Sequence, residues 1–560
     1  MNLLFSKATL PLGLVVCSVA FAQTPPSAGS LNQQIEREQA PRTPAKAIPE
    51  LRIEQDAEPV AAAPDNQKIL VRSLQITGAH VYPEAALLEV TGFSEDRELT
   101  LSDLRGMASK IARYYRMNGY LLAQAYLPAQ DIKDGVVTIA VLEGHYGNVT
   151  VRNSTNLSDD LANGLLSGLN SSDAVSIAPL ETSLLLLSDL PGVNVRSTLV
   201  PGASVGASDL IVDVTPGQRV TGVVDVDNGG NRYTGANRVG ATVNLNNPTG
   251  HGDVATLRAL TSGSDLNYAR ASYQTQIGRA TTGIAYSAMR YRLGKEFDSL
   301  DAHGTAKIAS VFGSLPLIRS RSNNLYAVIN FDAKSFRDKV DSTATHVDKK
   351  ARVAMASLTG DHRDGFGGGG LSAYAFTWTT GQIDIDSAAA LAIDAATVQS
   401  NGHYDKLAFN AMRLQRVTDT LSLYAAANGQ LASKNLDTSE KMGLGGAYGV
   451  RAYPEGEAYA DQGYLLNLEV RAWLPRLSER QSGQMQLIGF VDTGTVMLNK
   501  DPWAAGENRR TLSGAGIGLN WVDNDNFVVK AYYARKLGNA TALSAPDKSG
   551  RFWVQAAKYF

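Results

Sequence analysis

The sequence predicts a membrane all-β fold: a closed transmembrane β-barrel, preceded by two small α+β modules and a tethered helix. Three observations carry this expectation. The first is an export signal with no membrane-spanning helix behind it. Residues 1–22 hold Lys7, an apolar run from Leu10 to Phe21 and the small-residue end Ala20-Phe21-Ala22, the pattern of a cleavable secretory signal, with Gln23 opening the mature chain. That run falls far short of the roughly 20 apolar residues needed to span a bilayer. No later stretch approaches the length of such a helix, although 44% of residues are hydrophobic. An exported chain of this kind enters a membrane only as a closed barrel, in which every backbone group pairs between strands. The second observation is a period-two alternation of apolar and polar residues through 218–560. The third is an order of strand, helix, helix, strand, strand that occurs twice before it.

Composition removes several other classes. Lys and Arg total 52 against 54 Asp and Glu, a net charge of -2 that gives no basic surface for nucleic acid. The single cysteine, Cys17, lies inside the signal, so a mature chain has no disulfide, thiol nucleophile or Cys-ligated metal. The seven histidines form no HExxH cluster and there is no GxSxG elbow. The reading is therefore of a protein that is not an enzyme and uses no cofactor or metal. Glu455 and Glu457 flank a Gly-rich loop and are expected to be solvated rather than to form a paired-carboxylate site.

The elements follow in order. Within 23–40, Ser30 followed by Gln33 makes a capping-box pattern, and Leu31, Gln34, Ile35 and Arg37 fall on the short helix it would start. Residues 41–67 hold Pro41, Pro44, Pro49, Pro59 and Pro64 and read as an extended linker. The same composition fits a disordered N-terminus equally well. In 68–146, Leu74 and Ile76 mark a strand, and Leu104, Ala108, Ile111 and Tyr115 form a helical stripe that stops at Asn118-Gly119. Asp134-Gly135 then joins 121–127 to a strand at 136–142 as a hairpin. In 147–217 the plan repeats: a strand around Val149 and Val151, helices near Leu161 and after Pro179, and strands at 193–199 and 210–215.

From residue 218 onward the texture changes. Val220, Gly222, Val224 and Val226 alternate with Thr221, Asp225 and Asp227, and Tyr464, Leu466, Leu468 and Val470 alternate with Asn467, Glu469 and Arg471. At about 20 residues per strand and connection, the span gives roughly 16 to 18 strands, each with about 10 residues in the bilayer. A soluble all-β domain has the same period. Polar positions such as Lys530 and Arg471 favour a wet lumen. Asp492 stands mid-strand in "GFVDTG", and a charge at that depth must face the lumen. Arg451, in the Gly-rich stretch 445–464, is a partner able to fold inward and form a bidentate pair, which would tie the loop to the wall. A lone loop arginine is more commonly a solvated one.

These residues resemble the outer-membrane transporters of two-partner secretion, the TpsB group that exports haemolysins, filamentous haemagglutinin-like adhesins and contact-dependent toxins. The resemblance spans nearly the whole mature chain. Its motifs are "GYLLAQAYLPAQDIKDGVVTIAVLEG" at 119–144, "LPGVNVRSTLVPGASVGASDL" at 190–210, "NPTGHGD" at 247–253, "VRAY" at 450–453 and "FVDTG" at 490–494. It implies a sixteen-stranded barrel in the outer membrane, contacting its lipids, with two POTRA modules (68–146 and 147–217) in the periplasm. It also implies a plug helix in the pore, formed here by Leu31, Gln34, Ile35 and Arg37. The inward loop is carried onto Gly449, Val450, Arg451 and Tyr453, and the strand motif onto Phe490, Asp492 and Gly494. Where the family motif has Gly this chain has Ala452, and alanine tolerates positive φ poorly. The aromatic end resembles the signal read by the barrel-assembly machinery, except that Lys558 stands at an apolar or aromatic position.

The implied cargo is an extended, unfolded secreted protein of the TpsA type, exported without ATP by a transporter acting as a monomer. Exposed sheet edges bind such a chain through the backbone and tolerate varied side chains. The candidates are an outer strand carrying Val137, Ile139 and Val141, with Leu122 and Tyr126 beside it. The alternative for each apolar residue is a place in the module core. Within transport, a barrel-assembly insertase of the same superfamily is the other reading.

Overall fold

The computed structural model describes residues 25–37, 49–53, 68–523 and 526–560. The expected signal, residues 1–22, and most of the linker lie outside the described residues. Sixteen antiparallel strands, from Val220–Asp227 to Gly550–Tyr559, pair in sequence order and close into a barrel. At the seam, Val223 faces Tyr559 and Asp227 faces Gln555, and Gly222 and Phe560 exchange backbone hydrogen bonds of 2.8 and 3.1 Å. The Phe560 ring lies on Gly222, where any Cβ would come within 2.4 Å of it.

The alternation read from the sequence places apolar side chains outward. Ile284, Tyr286, Phe376 and Trp378 are exposed on the outer wall, whereas their neighbours Ala285, Ser287 and Thr379 are buried inside. This apolar outer face is what a bilayer requires of a barrel. No helix among the described residues is long and apolar enough to cross a membrane. The longest strand, Thr345–Asp364, has 20 residues, about twice the bilayer requirement, so the wall projects beyond the apolar band.

The first module forms around the helix Leu101–Met117, whose stripe of Leu104, Ala108, Ile111 and Tyr115 is buried. Its N-terminus has a reciprocal cap: Asp103 N donates to Thr100 Oγ1 at 3.1 Å and Thr100 N donates to Asp103 Oδ2 at 2.9 Å. Those bonds hold the Asp103 carboxyl below its usual range. Tyr115 donates to Glu143 at 2.7 Å, and burial pushes its phenol up. Thr100→Ala is expected to destabilise this helix by about 1 kcal/mol. In the full chain, hydrogen exchange should show faster amides in its first turn and little change at Ile139. The hairpin turn also forms: Asp134 and Gly135 take φ of 55° and 73°, and Val136 N donates to Lys133 O at 3.2 Å.

The sheet order corrects one expectation. Val136–Leu142 is the middle strand, parallel to Ser73–Thr77 and antiparallel to Gln124–Tyr126. Its Val137, Ile139 and Val141 are buried in the core with Leu74, Leu104 and Ile111, so they offer no surface to a partner. The alternating apolar pattern is that of a half-buried strand, and only the pairing order shows that both of its edges are occupied. Of the other candidates, Tyr126 is exposed on an edge strand, whereas Leu122 packs between the modules, against Gly144 and the second module's core.

The second module has a four-stranded sheet in the order Glu50–Ile53, Val193–Pro201, Ala207–Pro216, His145–Asn153. Its first strand comes from the Pro-rich stretch 41–67, whose composition predicts an extended linker with no place in a sheet. Helices Asp159–Leu166 and Ile177–Asp189 bury Leu165, Leu180, Leu184 and Leu187 against Val195, Val212 and Val214. This module is bolted to the barrel. Arg319 makes a bidentate pair with Asp189 at 2.7 and 2.8 Å, and Arg321 pairs with Glu181 at 3.1 Å. The "NPTGHGD" turn is the second joint, where Asn156 and Asn247 bond reciprocally at 2.9 and 3.1 Å. Within that turn the buried Asp253 accepts from His251 N and the Tyr273 hydroxyl.

Candidate functional site: a loop and a helix inside the barrel

Between strands Leu421–Ala432 and Gln462–Trp473 lies a long connection, 433–461, and it turns inward. A short ribbon, Met442–Gly443 with Tyr459–Ala460, forms its neck, and Arg451 lies near its tip. The strand Gln484–Met497 presents Phe490, Asp492 and Gly494 on one lumenal face, as the period of two requires. Arg451 Nε donates to Asp492 Oδ2 at 2.8 Å, Nη2 donates to Oδ1 at 2.7 Å, and Arg451 N donates to Oδ2 at 3.1 Å. Both residues are buried. The structure thus brings together the two residues that the sequence singled out.

It also adds partners that the sequence reading missed. Arg451 Nη1 meets Glu469 at 2.8 Å, and Glu469 pairs in turn with Arg471 at 2.7 Å. The guanidinium lies 3.5 Å from the centroid of the Phe490 ring and 5.3 Å from that of Tyr532, a cation-π contact that Lys could not combine with a bidentate pair to Asp492. Asn467 donates to Asp492 at 2.8 Å and to Gly449 O at 3.2 Å, and Trp553 Nε1 donates to Arg451 O at 2.7 Å. Asn467 and Glu469 are the polar members of the alternating strand beside Asp492, with Asn467 directly opposite it. That register was the available signal.

Two glycines let the loop lie on the wall. A Cβ at Gly494 would come within 2.4 Å of Leu444, and one at Gly514 within 2.5 Å of the Ala452 Cβ. The φ of Ala452 is not positive, so the alanine there is accommodated without strain. Val450 and Tyr453 are fully buried beside it, and Tyr453 donates to Ala540 O at 3.1 Å.

Glu455 and Glu457 correct another expectation, since both are buried. Glu457 pairs with Arg510 and accepts from Leu543 N, Ser544 N and Ser544 Oγ at 3.0, 2.9 and 2.8 Å. It binds the inward loop to the connection 537–549. The root of the loop is held similarly. Glu440 lies between Lys334 and Lys406 at 2.9 and 2.8 Å, Asp437 meets Lys349 at 2.7 Å, and Asp461 meets Lys441 at 2.9 Å. Most of these partners come from strands distant in sequence, so no local pattern announces them.

The helix Ala28–Arg37 lies in the lumen. Its cap is one turn earlier than the Ser30–Gln33 pattern suggested: Ser27 N donates to Ser30 Oγ at 3.0 Å and Ser30 N donates to Ser27 Oγ at 3.3 Å. Leu31 and Ile35 share a cluster with Tyr268, Tyr291 and Phe336 of the wall, Tyr233 of the connection 228–237 and Leu436 of the inward loop. Ala28 N donates to Asp338 Oδ1 at 2.7 Å, so a half-buried carboxylate receives the helix N-terminus. Gln34 donates to Gly229 O at 3.4 Å and Arg37 to Gly443 O at 2.8 Å. Wall and loop therefore clamp the helix from opposite sides. On the module side a cavity of about 1150 Å³ remains, lined by Arg451, Glu469, Arg471, Lys530, Tyr374 and Trp553.

Known proteins share the fold. The family model for the haemolysin secretion/activation protein ShlB/FhaC/HecB matches residues 206–521, and that for the ShlB-type POTRA domain matches 69–144. The chain is 28% identical to the heme/hemopexin transporter protein HuxB of Haemophilus influenzae, over 99% of this chain and 98% of that one. It is 24% identical to the outer membrane transporter CdiB of Dickeya dadantii, over 75% and 74% of the two chains. The solved structure of CdiB from Escherichia coli superposes with a TM-score of 0.70 at 19% identity, covering 90% of this chain and 93% of that one. With a closed barrel, a POTRA module on one side and a model match across more than half its length, the chain belongs to the ShlB/FhaC/HecB family of secretion proteins, TpsB-type transporters of the outer membrane with periplasmic POTRA domains.

Proposed function

We propose that this transporter takes an unfolded secreted protein from the periplasm through its POTRA modules and passes it out through the barrel without ATP. The observation that carries the reading is a lumen that holds parts of the chain itself, the helix Ala28–Arg37 and the loop 433–461, beside a cavity lined by charged and polar side chains. Both closures are held against the wall by side-chain packing, hydrogen bonds and ion pairs and supply none of the sixteen paired strands, so they can leave while the barrel stays closed. Partner binding then shifts a plugged population toward an open one, which requires the two to lie within a few kcal/mol. Folding of the cargo outside prevents its return.

The cargo is proposed to be of the kind served by HuxB, because that alignment runs through 99% of this chain whereas those to CdiB transporters reach 75 to 80% at most. A single closed barrel hides its own strand edges, so the transporter is proposed to act as a monomer. The neighbouring reading frame is expected to encode a large secreted protein. Co-expressing the two should release that protein into the medium, and deleting residues 68–217 should keep it in the periplasm. Release without those residues would sink the recognition role.

A further inference from the structure

The strand Glu50–Ile53 adds in parallel to the edge of the second module's sheet, with Glu50 opposite Arg196 and Ile53 opposite Leu199. It belongs to no module by sequence. Its Leu51 and Ile53 turn toward the module core, where they pack partly buried, while Glu50 and Arg52 face outward. Ser197 Oγ donates to Glu50 O at 3.1 Å. Among the described residues, Glu50–Ile53 covers four of the nine residues of Val193–Pro201, Arg196 to Leu199. Beside it runs a cavity of about 690 Å³ lined by Leu121, Ile177, Leu180 and Leu184.

We propose that Glu50–Ile53 is a resident stand-in for the cargo: an extended segment of the secreted polypeptide displaces it and pairs in parallel with Val193–Pro201. The inference rests on the export reading above and names its docking surface. The occupant states the chemistry that fits, an extended chain with apolar residues at alternate positions and an acidic residue facing Arg196. Exchange of one strand for another conserves backbone hydrogen bonds, so the balance is set by how well side chains fill the groove. An edge strand whose described residues bring only two half-buried apolar side chains, Leu51 and Ile53, is an occupant that a segment filling the groove better can outcompete.

The position of the groove suits delivery. Its helix, Ile177–Asp189, is fixed to the barrel through Arg319 with Asp189, Arg321 with Glu181, and Thr182 Oγ1, which donates to Arg319 O at 2.9 Å. A segment docked there lies against the turn 320–322 at the rim of the barrel.

The test uses the full chain. Arg52 and Thr198 are opposite in register, and the only native cysteine is Cys17, so Arg52→Cys with Thr198→Cys forms a lock with no competing thiol in a processed chain. Export of the neighbouring exoprotein is expected to fall about tenfold or more with the lock oxidised and to recover on reduction. A labelled peptide copying residues 47–56 is the binding probe. It should bind a Leu51→Asp, Ile53→Asp chain at least about tenfold more tightly than wild type, and the oxidised lock not at all. Equal export by oxidised and reduced lock, or equal peptide binding to both, overturns the displacement. If wild type itself exports nothing, the export reading fails instead, and the peptide still decides whether the edge exchanges.

Discussion

Arg451→Ala and Asp492→Ala are each expected to reduce export to near background while the barrel still assembles. Removing one member of a buried, hydrogen-bonded ion pair costs about 3–5 kcal/mol, because the other charge is left without compensation. Each 1.4 kcal/mol changes the docked fraction of the loop about tenfold, so either change undocks it. The neighbours set the order of severity. Asp492→Ala leaves Arg451 its contact with Glu469 at 2.8 Å, whereas Arg451→Ala leaves Asp492 two neutral donors, Asn467 and the backbone N of residue 451, and no cation. The arginine change should therefore be the more damaging. Arg451→Lys should not rescue, since a point charge cannot reach both carboxylates and stack on Phe490 together. The double mutant should be little worse than Arg451→Ala alone. Export assays, with heat-modifiable gel mobility reporting barrel folding, read these effects, and strictly additive losses would show that the two side chains do not act as a pair.

Deleting residues 25–37 should convert a mostly silent protein in planar bilayers into an open pore. The deletion removes Leu31 and Ile35 from the cluster that fills the lumen and frees Asp338. A smaller change tests the docking itself. Asp338→Ala removes the carboxylate at the helix N-terminus, an interaction reaching about 2 kcal/mol in partly buried settings, or roughly thirtyfold in the plugged-to-open ratio. Openings should become frequent without the full conductance of the deletion. Tyr291→Phe, which loses only the 2.5 Å bond to Asp338, should lie between wild type and Asp338→Ala. An unchanged trace after the deletion would remove the helix from the account of closure.

Much of this was legible locally. The barrel follows from a period of two sustained across 218–560, because one face must meet lipid and the other water. The stripe at Leu104, Ala108, Ile111 and Tyr115 and the Asp134-Gly135 turn are readable because helix periodicity and left-handed φ are properties of a few adjacent residues. Arg451 and Asp492 stood out because a charge in an otherwise apolar or Gly-rich setting needs a partner.

The misreadings share a cause. Val137, Ile139 and Val141 carry the alternation of any half-buried strand, and pairing on both sides, on one of them with residues 63 positions away at Ser73–Thr77, makes that strand central. Glu455 and Glu457 sit in a loop whose composition suggests water, yet the lumen supplies Arg510 and the amides of 543 and 544. Ser27, Ser30 and Gln33 offer two competing caps, and only docking on Asp338 selects the earlier one.

By itself, then, the amino-acid order determined where strands and helices form, which face of each is apolar, and which charges lack a neighbour, since these depend on spacing within one element. Tertiary structure alone decided which strand edge is covered and by what, which carboxylates find cations, and that a fragment of linker occupies the second module. Those outcomes depend on chain closure bringing together groups tens to hundreds of residues apart, and local spacing carries no record of that.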